Sequence, residues 1–186
     1  MGILEDNGLK SDPGPIVAMP GIGMSYTFLP FIAAELALDV YGTYYGYSGP
    51  LGRAIPVAIE NRSSFVVGNL LALHLLGYIP LPGDFRLRVY GGPSADLRLC
   101  LVADGLEGAD LKDATAQTSQ VNDYFWSQGR WFFPIVGAGI DILSSPSYVI
   151  GVDLRVSMPA YHYWTGEKLP AQEGWRVAFG LRAGLK

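Results

Sequence analysis

The C-terminal stretch of the chain, residues 174–186, alternates between two kinds of side chain with a strict period of two. Trp175, Phe179 and Leu185 lie on one parity with further apolar residues, whereas Arg176 and Arg182 lie on the other with glycine and alanine. Successive side chains of a pleated strand point to opposite faces, so this pattern predicts a strand with one wholly apolar face. That face must meet either a protein core or lipid, and the choice between them decides the fold.

Similar alternation recurs upstream and predicts a chain made mostly of strands. Residues 1–15 are polar and rich in Gly, Asp and Pro, so we expect an irregular arm there and a single domain over residues 16–186. A short helix is expected near residues 109–117, inside the longest irregular stretch. The predicted strands span residues 16–28, 31–47, 61–79, 85–102, 124–143, 148–163 and 174–186.

The predicted connections alternate between short and long. Short turns at one end and long loops at the other are typical of barrels in a bacterial outer membrane, and aromatic residues near the strand ends fit the same architecture. The predicted fold class is therefore all-β, an antiparallel up-and-down transmembrane β-barrel. The short turns are residues 29–30, 80–84 and 144–147, and the long loops are residues 48–60, 103–123 and 164–173.

The strand count adds a further expectation. Single-chain outer-membrane barrels have an even number of strands, so the seven visible here predict eight. A first strand should precede residue 16, and residues 1–10 are a poor candidate because they contain Glu5, Asp6 and Asn7. The same residues do not resemble a signal peptide. We hypothesise that the sequence is truncated at its start and lacks both segments.

The composition requires either a surface that tolerates an apolar medium or a very large core, and it argues against a nucleic-acid partner. Only 16% of the residues are charged and the mean hydropathy is +0.23, which is unusual for a soluble chain. The longest apolar run, residues 65–79, is shorter than the roughly 20 residues that a spanning helix needs. The net charge of -4, without clustered Lys and Arg, does not suit a phosphate-reading surface. Membrane lipid is therefore the expected partner, in the outer membrane of a double-membraned bacterium.

No catalytic or metal site is predicted. Cys100 is the only cysteine, and His74 and His162 lie in different segments without a carboxylate at ligand spacing. The chain has no Gly-x-Ser-x-Gly motif, and the pair Gly21 and Gly23 lacks the third glycine of a dinucleotide site. We therefore expect a protein that is not an enzyme and has no cofactor.

Residues of both charges fall on the inward parity of the predicted strands. Their pairing predicts a network of salt bridges inside the barrel, in which Arg176 and Arg182 reach carboxylates such as Asp153. The predicted lumen charge network is Glu35, Asp39, Arg86, Arg88, Asp96, Arg98, Asp141, Asp153, Arg155, Arg176 and Arg182. Inward apolar residues either line a pocket for an apolar ligand or only fill the barrel. These apolar lumen candidates are Val17, Met19, Val66, Leu70, Leu76, Trp131, Phe133 and Ile135.

Three segments resemble the outer membrane protein W family of small barrels. They are Gly-Met-Ser-Tyr-Thr-Phe at residues 23–28, Ala-Glu-Leu-Ala-Leu at residues 34–38, and the alternating stretch at residues 174–185. The chain departs from the family in lacking the first strand and in ending on Lys186 instead of an aromatic residue. The resemblance implies an eight-stranded barrel with an apolar lumen that passes or binds small hydrophobic molecules.

Three functional hypotheses follow from these patterns. The first is an outer-membrane β-barrel that acts as a narrow channel or as a binding protein for small hydrophobic molecules. The second is a surface-exposed barrel that does not transport, and whose loops 48–60 and 103–123 contact host molecules. The third is a soluble lipocalin-like barrel, which ranks last because arginine, aspartate and glycine share the inward side of the strands.

Overall fold

The computed structural model describes residues 2–4, 17–45, 62–105, 114–165 and 175–185 of the 186-residue chain. Two α-helices lie within these ranges, α1 (Ala114–Trp126) and α2 (His162–Thr165), and a 3-10 turn (Ser127–Gly129) follows α1. The strands are β1 (Gly2–Leu4), β2 (Gly21–Leu29), β3 (Ile32–Tyr45), β4 (Arg62–Pro80), β5 (Arg86–Gly92), β6 (Ser94–Gly105), β7 (Ile135–Ser144), β8 (Tyr148–Ser157) and β9 (Trp175–Leu185).

The strands form one antiparallel sheet that curls into a half-barrel. Neighbours follow the order β1-β9-β8-β7-β5-β4-β3-β2, and β6 also pairs with β4. Pro93 separates β5 from β6, so the two act as one interrupted strand along the length of β4. The prediction of a predominantly antiparallel β fold is confirmed, and short and long connections alternate between the strands as expected. Neither described helix has the length and hydropathy needed to cross a bilayer.

The predicted strand over residues 124–143 is wrong in its first part. Helix α1 continues to Trp126, and β7 begins only at Ile135. Val121, Tyr124 and Phe125 have the i, i+3, i+4 spacing of one helix face, and all three are buried against β4 and β6. The aromatic run at residues 124–126 therefore belongs to a helical stripe, whereas sequence inspection assigned it to a strand.

The N-terminal segment contributes a strand where an irregular arm was expected. Gly2–Leu4 pairs antiparallel with Trp175, Arg176 and Val177 at the start of β9. Among the described residues, strand β2 and residues 178–185 of β9 each pair on one side only, as do β1 with β9 and β6 with β4.

The two faces of the sheet differ sharply in chemistry. The convex face carries large apolar side chains with high exposure, such as Leu73 at 53%, Leu75 at 60% and Leu154 at 50%. The concave face is buried and carries charged groups, including Asp96 and Asp141 at 1% exposure each. This arrangement reverses the distribution that is usual in soluble proteins, in which apolar side chains fill the interior and charged side chains are mostly exposed.

Glycines on the concave face make room for large inward side chains. A Cβ at Gly68 would lie 2.1 Å from Cζ of Tyr41, and one at Gly137 would lie 2.4 Å from Cζ of Tyr90. Each tyrosine therefore rests directly on the backbone of a neighbouring strand. The high glycine content of the chain, 24 residues, is explained in part by these contacts.

We predict that Gly68→Ala lowers the free energy of unfolding by about 1–3 kcal/mol, because the new methyl group must displace the Tyr41 ring. The matched control is Gly77→Ala on the same strand, where the added Cβ would make an ordinary contact, 3.4 Å from Val89 Cγ2. Urea titration measures both effects. In a Tyr41→Ala background the cost of Gly68→Ala should largely vanish, and an unchanged cost there would contradict the packing explanation.

Candidate functional site

The concave face carries a set of ion pairs that includes every residue of the predicted charge network. Arg86 Nη2 lies 2.6 Å from Asp141 Oδ2, within the directly paired positions of β5 and β7. Arg98 Nε lies 3.2 Å from Asp96 Oδ2 on the same strand. The full set of pairs is Glu35 with Arg182, Asp39 with Arg155, Arg86 with Asp141, Arg88 with Asp153, and Asp96 with both Arg98 and Arg176.

Two of these pairs connect the opposite ends of the sheet. Arg155 Nη1 on β8 lies 2.7 Å from Asp39 Oδ2 on β3, and Arg182 Nη2 on β9 lies 3.2 Å from Glu35 Oε2 on β3. Strand β3 is separated from β8 and β9 by several strands in the sheet order, so these contacts cross the interior. The two ends are thereby held close together.

The interior is filled by side chains at the level of Asp96, in a group we name the Asp96 cluster: Tyr41, Asp96, Arg98, Arg176, Phe125 and Phe133. The Tyr41 hydroxyl donates to Asp96 Oδ1 at 2.8 Å, and Arg176 donates to the same carboxylate. The guanidinium carbon of Arg98 lies 4.1 Å from the ring centroid of Phe125, and that of Arg176 lies 4.3 Å from Phe133. Since the members come from β3, β6, β9, α1 and the segment before β7, they block the interior at this level.

Helix α1 completes this closure along β6. Its buried face packs against the inward residues Val66 and Cys100. The Asn122 side chain accepts a hydrogen bond from the backbone N–H of Cys100 at 2.7 Å and donates to the carbonyl of Cys100 at 3.3 Å. A side-chain amide thus pairs with a strand edge that β4 leaves open. Asn122 was not predicted as a functional residue, and its role depends on this tertiary contact.

The apolar lumen candidates are mostly packed into the core. Val66, Leu70, Leu76, Phe133 and Ile135 are each at most 1% exposed, so they fill space and do not line an open pocket. Val17 and Met19 line a cavity of about 240 Å³. Trp131 is the exception: it is 38% exposed and lies in the turn before β7, where the strand parity used for the prediction does not apply.

A larger cavity of about 390 Å³ lies between the two open edges of the sheet. It shares Gly21, Asp39, Asp153, Arg155 and Leu181 with the smaller one, so the two adjoin. Its wall is rich in charged groups. The charged residues that line it are Glu35, Asp39, Arg88, Asp153, Arg155 and Arg182.

Asp153 has a different partner from the expected ones. Arg176 and Arg182 were predicted to reach it, but they pair with Asp96 and Glu35. Asp153 instead accepts a hydrogen bond from the Tyr90 hydroxyl at 2.5 Å, with Arg88 Nη2 at 3.8 Å from its Oδ2. Both arginines reach carboxylates across the interior as expected, but the choice of Asp153 was wrong, because strand parity gives the face of a side chain and not its height or its partner.

Three further inward residues were not included in the predicted network. Tyr41 and Tyr90 donate to interior carboxylates, and His74 Nδ1 lies 3.5 Å from Glu35 Oε1. All three have the inward parity of their strands, so the same alternation could have found them. Across the described ranges, no three His, Cys, Asp or Glu side chains are grouped in a way that could hold a metal ion.

Comparisons with protein-family models, with characterised proteins and with solved structures yield no significant match to this chain. The resemblance to the outer membrane protein W family is therefore still a prediction from short sequence motifs.

We predict that Asp96→Asn lowers the free energy of unfolding by about 3–5 kcal/mol, because two buried guanidinium groups lose their counterion. Glu35→Gln is the matched control. Its partner Arg182 has 24% of its side chain exposed, so water screens the loss and the cost should be less than half as large. Chemical denaturation of both variants measures the difference, and equal costs would contradict the assignment of Asp96 as the central buried anion.

Proposed function

We propose that this protein is an outer-membrane β-barrel that binds small, largely apolar molecules in its interior. The observation that carries the proposal is the inverted distribution of side chains, with an apolar convex face and paired charges on the concave face. In a bilayer the convex face would contact lipid, and the charges would be shielded from it by the sheet. The proposed eight strands would be obtained by counting β5 and β6 as one strand and including β1.

The exposed apolar side chains of the convex face support the membrane proposal. Leu71, Leu73 and Leu75 on β4 alternate with the buried residues Leu70 and Ala72, and the same pattern continues on neighbouring strands. Monomeric soluble proteins rarely expose contiguous apolar patches beyond a few hundred Å². This argues against the lipocalin-like alternative, which requires apolar residues inside and charged residues outside.

The filled interior favours binding over conduction. The Asp96 cluster and α1 occupy the interior at one level, while the cavity beside β2 and β9 is open. A molecule could enter that cavity without passing through the whole barrel. The alternative in which external loops contact host molecules depends on residues 48–60 and 103–123. Residues 48–60 and 106–113 lie outside the described residues, and residues 114–123 belong to α1, which packs against β6. No structural observation therefore favours this alternative.

We predict that Leu73→Arg destabilises the protein in lipid vesicles by about 2–4 kcal/mol, because it would place a charge in the hydrocarbon near the middle of β4. Leu143→Arg is the matched control. It has almost the same exposure, 52% against 53%, but lies at the end of β7 beside a short turn, where the cost should be about 0–1 kcal/mol. Urea titration in vesicles measures both. On a water-exposed surface both changes would be nearly neutral, and that result would reject the membrane proposal.

We also predict that the purified protein inserted into planar lipid bilayers shows no steady conductance, since side chains from three strands and α1 block the interior. The current is recorded at several holding potentials, with a porin of known conductance as the positive control. A stable open-channel current from the unmodified chain would reject the binding protein in favour of the narrow channel.

A further inference from the structure

The cavity wall contains one buried cation without a hydrogen-bonded counterion. Arg88 on β5 is 3% exposed and lines the larger cavity. Its ion-pair partner is Asp153, whose Oδ2 lies 3.8 Å from Nη2, beyond hydrogen-bond distance. Within the described part of the chain, Arg88 Nε has no hydrogen-bond partner. A buried guanidinium with unsatisfied donors is costly, so the site is suited to an acceptor that these residues do not supply.

The carboxylates of Glu35 and Asp39, which also line the cavity, do not serve as this acceptor because each is paired with another arginine. Arg182 is paired with Glu35 and Arg155 with Asp39, at 3.2 and 2.7 Å. Of the six inward arginines, Arg88 has the longest distance to its carboxylate.

Asp153 is also committed elsewhere. Its Oδ2 accepts the Tyr90 hydroxyl at 2.5 Å, and the Tyr90 ring in turn lies 5.2 Å from the guanidinium carbon of Arg88. This arrangement holds the Asp153 carboxylate away from hydrogen-bond contact with Arg88. The Nε donor of Arg88 is thereby left for a group that enters the cavity.

The same cavity also has an apolar border. Ile22 and Met24 on β2, and Leu181 and Leu185 on β9, line it and are 74% to 92% exposed. They lie on the two edge strands between which the cavity opens. A molecule that reaches Arg88 from this side therefore meets alkyl side chains first and a cation at the inner end.

We propose that Arg88 binds the carboxylate of a small amphiphile, whose alkyl chain lies between the apolar side chains of β2 and β9. A single negative charge fits best, because Glu35, Asp39 and Asp153 line the same cavity and would repel a second one. This inference rests on the proposed binding function and names the ligand class as monocarboxylates with an alkyl tail.

The test uses decanoate as the probe and decanol as its uncharged analogue, each titrated calorimetrically into the full-length protein in a non-ionic detergent. Decanoate should bind the unmodified protein at least roughly tenfold tighter than decanol, since hydrogen bonds to a charged group contribute more than neutral ones. The Arg88→Met variant should lose this preference. Acetate, which has no tail, should fail to compete with decanoate at the same concentration.

Arg86→Met is the matched control on the same strand. Arg86 is hydrogen-bonded to Asp141 and does not line the cavity, so the preference for decanoate should survive the change. Retention of the preference in Arg88→Met, its loss in Arg86→Met, or competition by acetate would each overturn the proposal.

An NMR measurement on the unmodified protein tests the proposal even if a variant does not fold. The Nε–H resonance of Arg88 in the unmodified protein should shift on addition of decanoate and not on addition of decanol. A resonance that does not move with decanoate overturns the anion site even if no variant can be studied. A protein that stays soluble without detergent would reject the membrane proposal and leave the carboxylate site at Arg88 standing. The failure of one proposal can therefore be distinguished from the failure of the other.

Discussion

The ion pairs that cross the interior are the constraint on which the curled shape depends. Asp39 with Arg155 and Glu35 with Arg182 join β3 to β8 and β9, although β2 and β9 leave the sheet with two open edges. Buried pairs contribute little net stability compared with apolar packing, yet removing one partner is costly. We infer that their main effect is to specify which strands face each other, and hence how far the sheet curls.

The large and charged side chains of the interior also explain where several glycines lie. Several large or charged inward side chains lie against a glycine of the adjacent strand, as Tyr41 does at Gly68. Gly21 and Gly180 occupy equivalent positions beside Asp39 and Asp153, with room for a carboxylate oxygen where a Cβ would stand. The polar interior, the high glycine content and the apolar exterior are thus consequences of one architecture.

Strand alternation predicted the fold class and the face of most side chains, because a period of two is a local property of the backbone. It did not predict partners, since the choice of Asp96 for Arg176 depends on the stagger of strands that are distant in sequence. It also failed at Tyr124 and Phe125, where spacings of one, three and four residues coexist and only the packing against Val66 distinguishes helix from strand. The unsatisfied Nε of Arg88 and its 3.8 Å separation from Asp153 were not predictable either, because the positions of both side chains are set by the whole sheet.

Contact between the convex face and lipid can be measured by the accessibility of spin labels along β4. Nitroxide labels would be placed one at a time at positions 70 to 75 in a Cys100→Ser background, with the protein in lipid vesicles. If the convex face contacts lipid, labels at positions 71, 73 and 75 are relaxed by molecular oxygen far more than by a water-soluble nickel chelate, and labels at the positions between them are protected from both. Stronger relaxation by the nickel chelate at these three positions would contradict it.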